Sequence, residues 1–486
     1  MLLRIPHHWI ALYAALASAC VAVVLSSAAQ AADPYRTQSL ISPGAGQAWN
    51  GGADACGGAG GESGPLTLVN VIDRALCNNP QTRQSWIATR IEAARTGRAR
   101  ANYLPDLSIQ AGANANRTRP VDGATARQDS LSGTLTLTYI LFDFGARDAN
   151  LESARGLLQA ANWSHNASLQ TVFLSAIQAY YRLFAARANV EAAAEAERAA
   201  AESLKAAEVR HRVGTATPAD RLQARTAYSQ TRLTLTRAEG EARIAAGGLA
   251  NAMGMEADAP LDLALARVEA PDEGFDQSVR ELLEAARTLR PDLAAADAKL
   301  QAARALLRSA QAAGRPSVSL SASGGIGNSS SLDNYSSGAI GISVNIPLLT
   351  GYRNAYDVAL AQAQIEAREA DRAVLDQRVS LDVWNAWQSL MTERSALINA
   401  EDLLDSALQS ENVARGRYRA GAGTLIDLLN AQSAASNARF QQAQARYNWH
   451  LAKAALASAL GTLDISALAE SADTVHVDTR RAPIRK

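Results

Sequence analysis

Two periodicities alternate along the chain. After Pro105, apolar Leu107, Ile109, Ala111, Ala113 and Ala115 alternate with polar or small Ser108, Gln110, Gly112, Asn114 and Asn116. Leu135, Leu137, Tyr139 and Leu141 interleave with Thr134, Thr136, Thr138 and Ile140. The same alternation returns after Pro316 in Val318, Leu320 and Ala322, and again in Ile342, Val344 and Ile346. Period two over such lengths predicts strands, paired as two hairpins around polar loops at Thr118 to Ser130 and Asn328 to Ser337. After each hairpin runs an alanine-rich stretch of another kind. Ala146 to Arg212 has no proline and one glycine, Gly156, and Arg353 to Arg415 has neither. As helices of some 65 residues these would each be about 100 Å long, far beyond the usual three or four turns.

The pattern is written twice. Asn79-Pro80 and Tyr103-Leu104-Pro105 in the first half correspond to Arg290-Pro291 and Arg315-Pro316 in the second, at an offset of 211. Further on, Arg210-His211-Arg212-Val213-Gly214 matches Arg417-Tyr418-Arg419-Ala420-Gly421, and Leu249 to Gly254 matches Leu456 to Gly461, at an offset of 207. Four residues are lost between Pro105 and Gly214, and the hairpin loops are the natural place. Each repeat therefore reads as a helix, a β-hairpin, a long descending helix, a tight turn and a long ascending helix. Length alone suggests about three domains. The duplication replaces that count with two copies, residues 65–258 and 276–468.

Strands with one apolar and one polar face suit a membrane barrel with lipid outside and water inside. Four strands are too few to close, and an open edge cannot face lipid, so several copies must share one barrel. A soluble sandwich accommodates the strands but leaves the paired long helices without a role. A free coiled-coil stalk leaves the hairpins without one.

Residues 1–31 read as a secretory signal. Arg4 leads into an apolar stretch from Trp9 to Leu25, and Ala29-Gln30-Ala31 is a small-x-small cleavage site. No other run is long enough for a spanning helix. Residues 32–64 read as a flexible N-terminal segment and 469–486 as a disordered, basic tail. Cys56 and Cys77 stay in the mature chain, where an oxidising compartment would allow a disulfide. Hydrophobic residues make up 48% but aromatic ones only 5%, and 47 basic residues balance 47 acidic ones. A neutral chain without a basic block argues against a nucleic-acid partner.

The two helix-to-helix turns carry the sharpest local signals. Thr217-Pro218-Ala219-Asp220 reads as an N-cap, a proline in the first helical position and an acid at the third; Thr424-Leu425-Ile426-Asp427 repeats the cap and the acid. Gly214 and Gly421 permit the preceding helices to end at positive φ. The six histidines show no metal-ligand spacing, and neither a nucleophile elbow nor a P-loop is visible, so no enzyme and no cofactor is expected.

From about Pro65 to Leu468 the chain resembles the TolC family of outer-membrane channels. The carriers are Leu66-Thr67-Leu68 with Asn79-Pro80, Tyr103-Leu104-Pro105, Leu141-Phe142-Asp143-Phe144-Gly145, Ile346-Pro347-Leu348-Leu349-Thr350-Gly351, Arg417-Tyr418-Arg419-Ala420-Gly421, Leu425-Ile426-Asp427-Leu428-Leu429-Asn430-Ala431-Gln432 and Ser458-Ala459-Leu460-Gly461-Thr462-Leu463. The resemblance implies an α+β membrane protein: a homotrimer whose 12-stranded barrel, four strands per protomer, lies in outer-membrane lipid and continues into a periplasmic α-helical barrel. It implies a passive duct for exported cargo, joined to a periplasmic adaptor and to an inner-membrane ABC transporter or other pump. Without a lipidated mature N-terminal cysteine, and with its closing motif, the chain looks more like a type I protein-secretion component than a multidrug-efflux channel.

In the family the turns form the periplasmic tip. By that resemblance Val213, Gly214, Thr215, Ala420, Gly421 and Thr424 belong to adaptor-docking turns. Asp427 matches an acidic constriction residue, and Asn430 stands where a second acid is found. Asp220 and Tyr418 match partners in a bond that holds the entrance shut, and a further basic link position is Gly423 here. Aromatic Tyr103, Tyr139, Phe142, Phe144 and Tyr352 fall near strand ends, as an interface belt would require.

Overall fold

A computed structural model describes residues 33–41, 65–119, 126–263, 278–329 and 334–463. Twelve elements follow one another in these segments besides a short 3-10 turn at Thr37–Leu40: α1 (Leu68–Asn78), α2 (Pro80–Ala101), β1 (Asp106–Thr118), β2 (Ala126–Phe142), α3 (Ala146–Arg212), α4 (Pro218–Ala252), α5 (Val279–Leu289), α6 (Pro291–Ala312), β3 (Ser317–Ser329), β4 (Tyr335–Asn345), α7 (Arg353–Arg419) and α8 (Leu425–Leu460). The signal segment, Cys56 and the C-terminal tail lie outside the described residues.

The long descending helices are as expected, 67 residues each in α3 and α7. The ascending ones are not their equals. α4 has 35 residues and α8 has 36, because each stops where another helix of its own repeat begins. The end of α4 meets the α1–α2 junction, where Asn79 Nδ2 donates to Ala252 O at 3.2 Å. The end of α8 meets the α5–α6 junction, where Arg290 Nη1 donates to Ala459 O at 3.3 Å. Two short helices stacked end to end thus run alongside each long one.

Helix contacts place four columns side by side: α2 over α4, then α3, then α6 over α8, then α7. The sheet has the matching order β1-β2-β3-β4, all antiparallel. Each strand continues one column, β1 from α2, β2 into α3, β3 from α6 and β4 into α7. The register sorts the two faces across all four strands. Leu107, Leu137, Ala322 and Ile340 lie abreast, while Gln110, Thr134, Gly325 and Ser337 form a row on the other face. Every residue of β4 is exposed, with Ile340 at 78%. Apolar side chains open to water on a sheet with two free edges mark surfaces completed by lipid and by other chains.

The hairpin loops are shorter than the sequence suggested, spanning 119–125 and 330–334. The four-residue slip is not confined to them. β2 has 17 residues against 11 in β4, and the connector into the long helix is 143–145 in the first repeat but 346–352 in the second. Strand and loop shorten while the connector grows.

The core lies at mid-height, where α1 and α5 cover the wall. Val71, Ile72, Ala75 and Leu76 of α1 pack on Phe173, Ile177 and Leu183 of α3 and on Leu249 and Met253. Leu282 and Ala286 of α5 pack on Val379, Val383 and Leu390 of α7 and on Trp449. Trp384 and Trp163 are instead partly open, at 47% and 37%. Elsewhere alanines let the columns approach closely. The N-terminal stretch expected to be flexible is partly ordered: residues 33–41 are tied to the wall by Arg100 Nη1 donating to Tyr35 O (3.1 Å) and Asn162 Nδ2 donating to Leu40 O (3.1 Å).

Candidate functional site at the helical tip

The two turns at the far end from the sheet are built alike. The Val213 N–H closes α3 by donating to Val209 O, Gly214 takes φ 79°, and the Thr215 N–H reaches back to Arg210 O at 2.8 Å. The Ala420 N–H donates to Gly416 O, Gly421 takes φ 76°, and the Ala422 N–H reaches Arg417 O at 2.9 Å. Both glycines sit in the left-handed region that satisfies orphan carbonyls at a helix end. Val213, Gly214, Thr215, Ala420, Gly421 and Thr424 are all exposed.

A threonine then starts each returning helix with a complete capping box. The Asp220 N–H donates to Thr217 Oγ1 (3.2 Å), while the Thr217 N–H and hydroxyl donate to the Asp220 carboxylate (2.9 and 2.8 Å). In α8 the Asp427 N–H donates to Thr424 Oγ1 (3.1 Å) and the Thr424 N–H to Asp427 Oδ2 (3.3 Å). Bonds from Thr217, backbone first and side chain second, hold the Asp220 carboxyl below the usual carboxylate range. The Thr424 side chain and then its backbone do the same for Asp427, with the Arg417 charge adding to them. Both acids are anionic at neutral pH.

Asp220 and Tyr418 are not joined by a hydrogen bond among the described residues; the Asp220 carboxylate is occupied by its own cap. Tyr418 is buried and pairs with Arg210 instead. The guanidinium lies 4.1 Å from the ring centre and donates to Tyr418 O at 2.6 Å. Gly423 lies against the last turn of α7, where a Cβ would stand 3.1 Å from Arg417 Cβ. Asp427 and Asn430 share the exposed face of α8, while Leu425, Leu428 and Ala431 turn inward. That exposed face continues through Ser433, Asn437, Gln441 and Gln444, polar and uncharged.

Sequence reasoning missed the links that tie the second repeat's helix pair to α3. Besides Arg210, Ser203 Oγ donates to Gln432 Oε1 (3.2 Å) and Gln432 Nε2 to Ala199 O (3.4 Å). Further up, Arg439 bridges Glu195 (3.2 Å) and buried Glu411 (3.7 Å), which also pairs with Arg415. The match of Arg210 to Arg417 across the repeat was the one available signal. Among the described residues no group of three or more His, Cys, Asp or Glu could hold a metal, and no helix is long and apolar enough to cross a membrane.

The model of the outer membrane efflux protein family matches residues 71–255 and 282–462, one segment in each repeat. The chain belongs to that family. It is 33% identical over 376 residues to Protein CyaE of Bordetella pertussis, covering 76% of this chain and 78% of that one. It is 26% identical over 420 residues to Outer membrane protein TolC of Escherichia coli, 82% of each chain. Among solved structures the Campylobacter jejuni CmeC outer membrane channel superposes with a TM-score of 0.74 at 19% identity, over 85% of this chain and 90% of that one. The fold is thus the protomer of a TolC-type trimeric channel in the outer membrane, with the helical part in the periplasm, and the family is one of channels rather than enzymes.

Proposed function

We propose that three copies of this chain form the outer-membrane duct of a type I secretion system, carrying a protein such as a toxin from the inner membrane to the exterior without entering the periplasm. The observation that supports this best is the one-to-one continuation of strands into helix columns, beneath a sheet that is apolar on one face and polar on the other. Three such walls make a continuous tube whose barrel turns its apolar face to lipid. The face of α8 beyond Asp427, with Asn430, Ser433, Asn437, Gln441 and Gln444, lines the lumen in this reading, an uncharged wall that can hydrogen-bond any backbone. The tip turns dock a periplasmic adaptor, and an inner-membrane ABC transporter supplies the energy. We also infer that Cys77 pairs with Cys56 in the mature chain; intact mass after thiol labelling should then show no free thiol.

The second reading is the outer channel of a tripartite multidrug efflux pump, favoured by the efflux proteins in the family. Deleting the gene separates the two. Secretion predicts loss of a protein from the culture medium with unchanged drug susceptibility; efflux predicts heightened susceptibility with the secreted proteins intact.

A further inference from the structure

We infer that residues 33–41 and the free side of α2 form a socket for α7 of a second copy of this chain. The inference rests on the channel reading, which requires several copies, and adds an N-terminal strap to the joint between them.

The strap is a built element. Thr37 is buried, its hydroxyl donates to Asp33 Oδ1 (3.0 Å), and the Gln38 N–H donates to Asp33 Oδ2 (2.7 Å). It lies on α2 at Gly97, where a Cβ would meet Thr37 Cγ2 at 3.4 Å. Thr82, Thr89 and Thr96 mark the side of α2 turned into the wall, and Thr96 Oγ1 donates to Ala154 O of α3. Ile87 and Ile91 face the other way, 41% and 50% exposed, and together with the strap and Arg98 they border an open groove of about 600 Å³.

α7 carries the counterpart at the opposite end of the same wall. Glu369, Arg372 and Asp376 make ion pairs to Arg304, Asp297 and Arg287, which fixes the side of α7 that faces α5 and α6. With 3.6 residues per turn, Tyr356, Ala363 and Val374 fall on the side away from those partners, and Tyr352 precedes them at the N-cap. Tyr352 is 73% exposed, Tyr356 75% and Val374 67%. This is a seam of heptad-like spacing that no other described residue covers.

The topology brings the two surfaces together. β1 rises from α2 and β4 descends into α7, and these are the two free edges of the sheet. A barrel closed by pairing β4 of one copy with β1 of the next must lay the first copy's α7 along the second copy's α2. Heights agree as well. At 1.5 Å per residue, Gly97 and Arg100 lie within about 6 Å of the end of α2 that leads to β1, and Tyr356 about 5 Å inside the start of α7 that follows β4. Tyr356 therefore arrives at the level of the strap, and the contact is head-to-tail, of the kind that closes a ring.

The test is cross-linking in the full-length, membrane-embedded protein carrying Gln38→Cys with Tyr356→Cys, using a short bifunctional maleimide. Covalent dimers and trimers on a denaturing gel, absent from either single variant, are expected. A three-copy assembly, counted by native mass, that gives no such ladder would overturn the socket and leave the channel reading standing. Absence of any three-copy assembly would overturn both. As an independent arm, Gly97→Leu should push Thr37 off α2, lowering the temperature at which the assembly dissociates in detergent while helical circular dichroism stays unchanged; an unshifted dissociation temperature counts against the strap.

Discussion

Asp427 has two roles available at once, because its carboxylate caps α8 yet remains open to solvent. If three copies ring the entrance, their charge favours cations, so Asp427→Asn should reduce cation over anion permeability in planar-bilayer recordings; unchanged selectivity would leave it a cap alone. His450 illustrates a buried base. It stacks on Tyr181 with ring centres 4.9 Å apart, and burial first, then Lys453 and Arg446, push its pKa down to about 4. Since the folded value lies below the unfolded one, near 6.5, its neutral form stabilises the fold fully above about pH 6.5. That stability is lost as pH falls from there toward 4. Acidification from pH 7 to pH 5 should cost about 2 kcal/mol through this residue, and His450→Phe, which keeps the stack, should flatten the melting-temperature profile over that range. The caps at Thr217 and Thr424 were legible because capping is local chemistry. The pairing of Arg210 with Tyr418 was not, since it joins residues 208 apart and nothing in the spacing says which face of α3 meets α7.

At the level of elements, the strands and the two descending helices could be read from periodicity and from the absence of breakers. The register confirms this by aligning apolar rows over four strands. The starts and ends of α4 and α8 also fall at local signals, the capping threonines and the glycines Gly254 and Gly461, but their being only the lower half of a column could not be read that way. Leucine and alanine continue helix-compatible up to Gly254 and Gly461, but how much of a column each helix supplies depends on where α2 and α6 stand above it, a tertiary fact. The caps should matter most where a helix starts at an unsupported turn. Thr217→Ala and Thr424→Ala should each cost about 1 kcal/mol locally, detected as faster amide exchange in the first turns of α4 and α8 while the mid-height core around Phe173 stays protected.

On the scale of the whole molecule, the described residues form a wall four columns wide, one helix thick except at mid-height where α1 and α5 cover it, with bare edges and a single-layered sheet. Mass measurement in detergent should find three chains per particle, and a stable monomer would contradict the closed tube. The low aromatic fraction, which alone would suggest a weak core, suits a wall in which alanine seams replace a globular interior. The N-terminal strap was not legible: its composition reads as flexible, and its order comes from Arg100 and Asn162, side chains remote in sequence.

The end-to-end junctions at Asn79 and Arg290 have a mechanical consequence. Around the assembled tube, unbroken staves formed by α3 and α7 alternate with staves jointed at mid-height, where α2 meets α4 and α6 meets α8. A continuous helix resists bending along its length, whereas a joint between two stacked helices is held by side-chain bonds and by the mid-height packing under α1 and α5. If the tip moves while the barrel holds the upper half, bending should concentrate in the jointed staves rather than in α3 and α7. Movement of the tip would then be absorbed at one ring of hinges, about halfway along the wall, without disturbing the seal in the membrane.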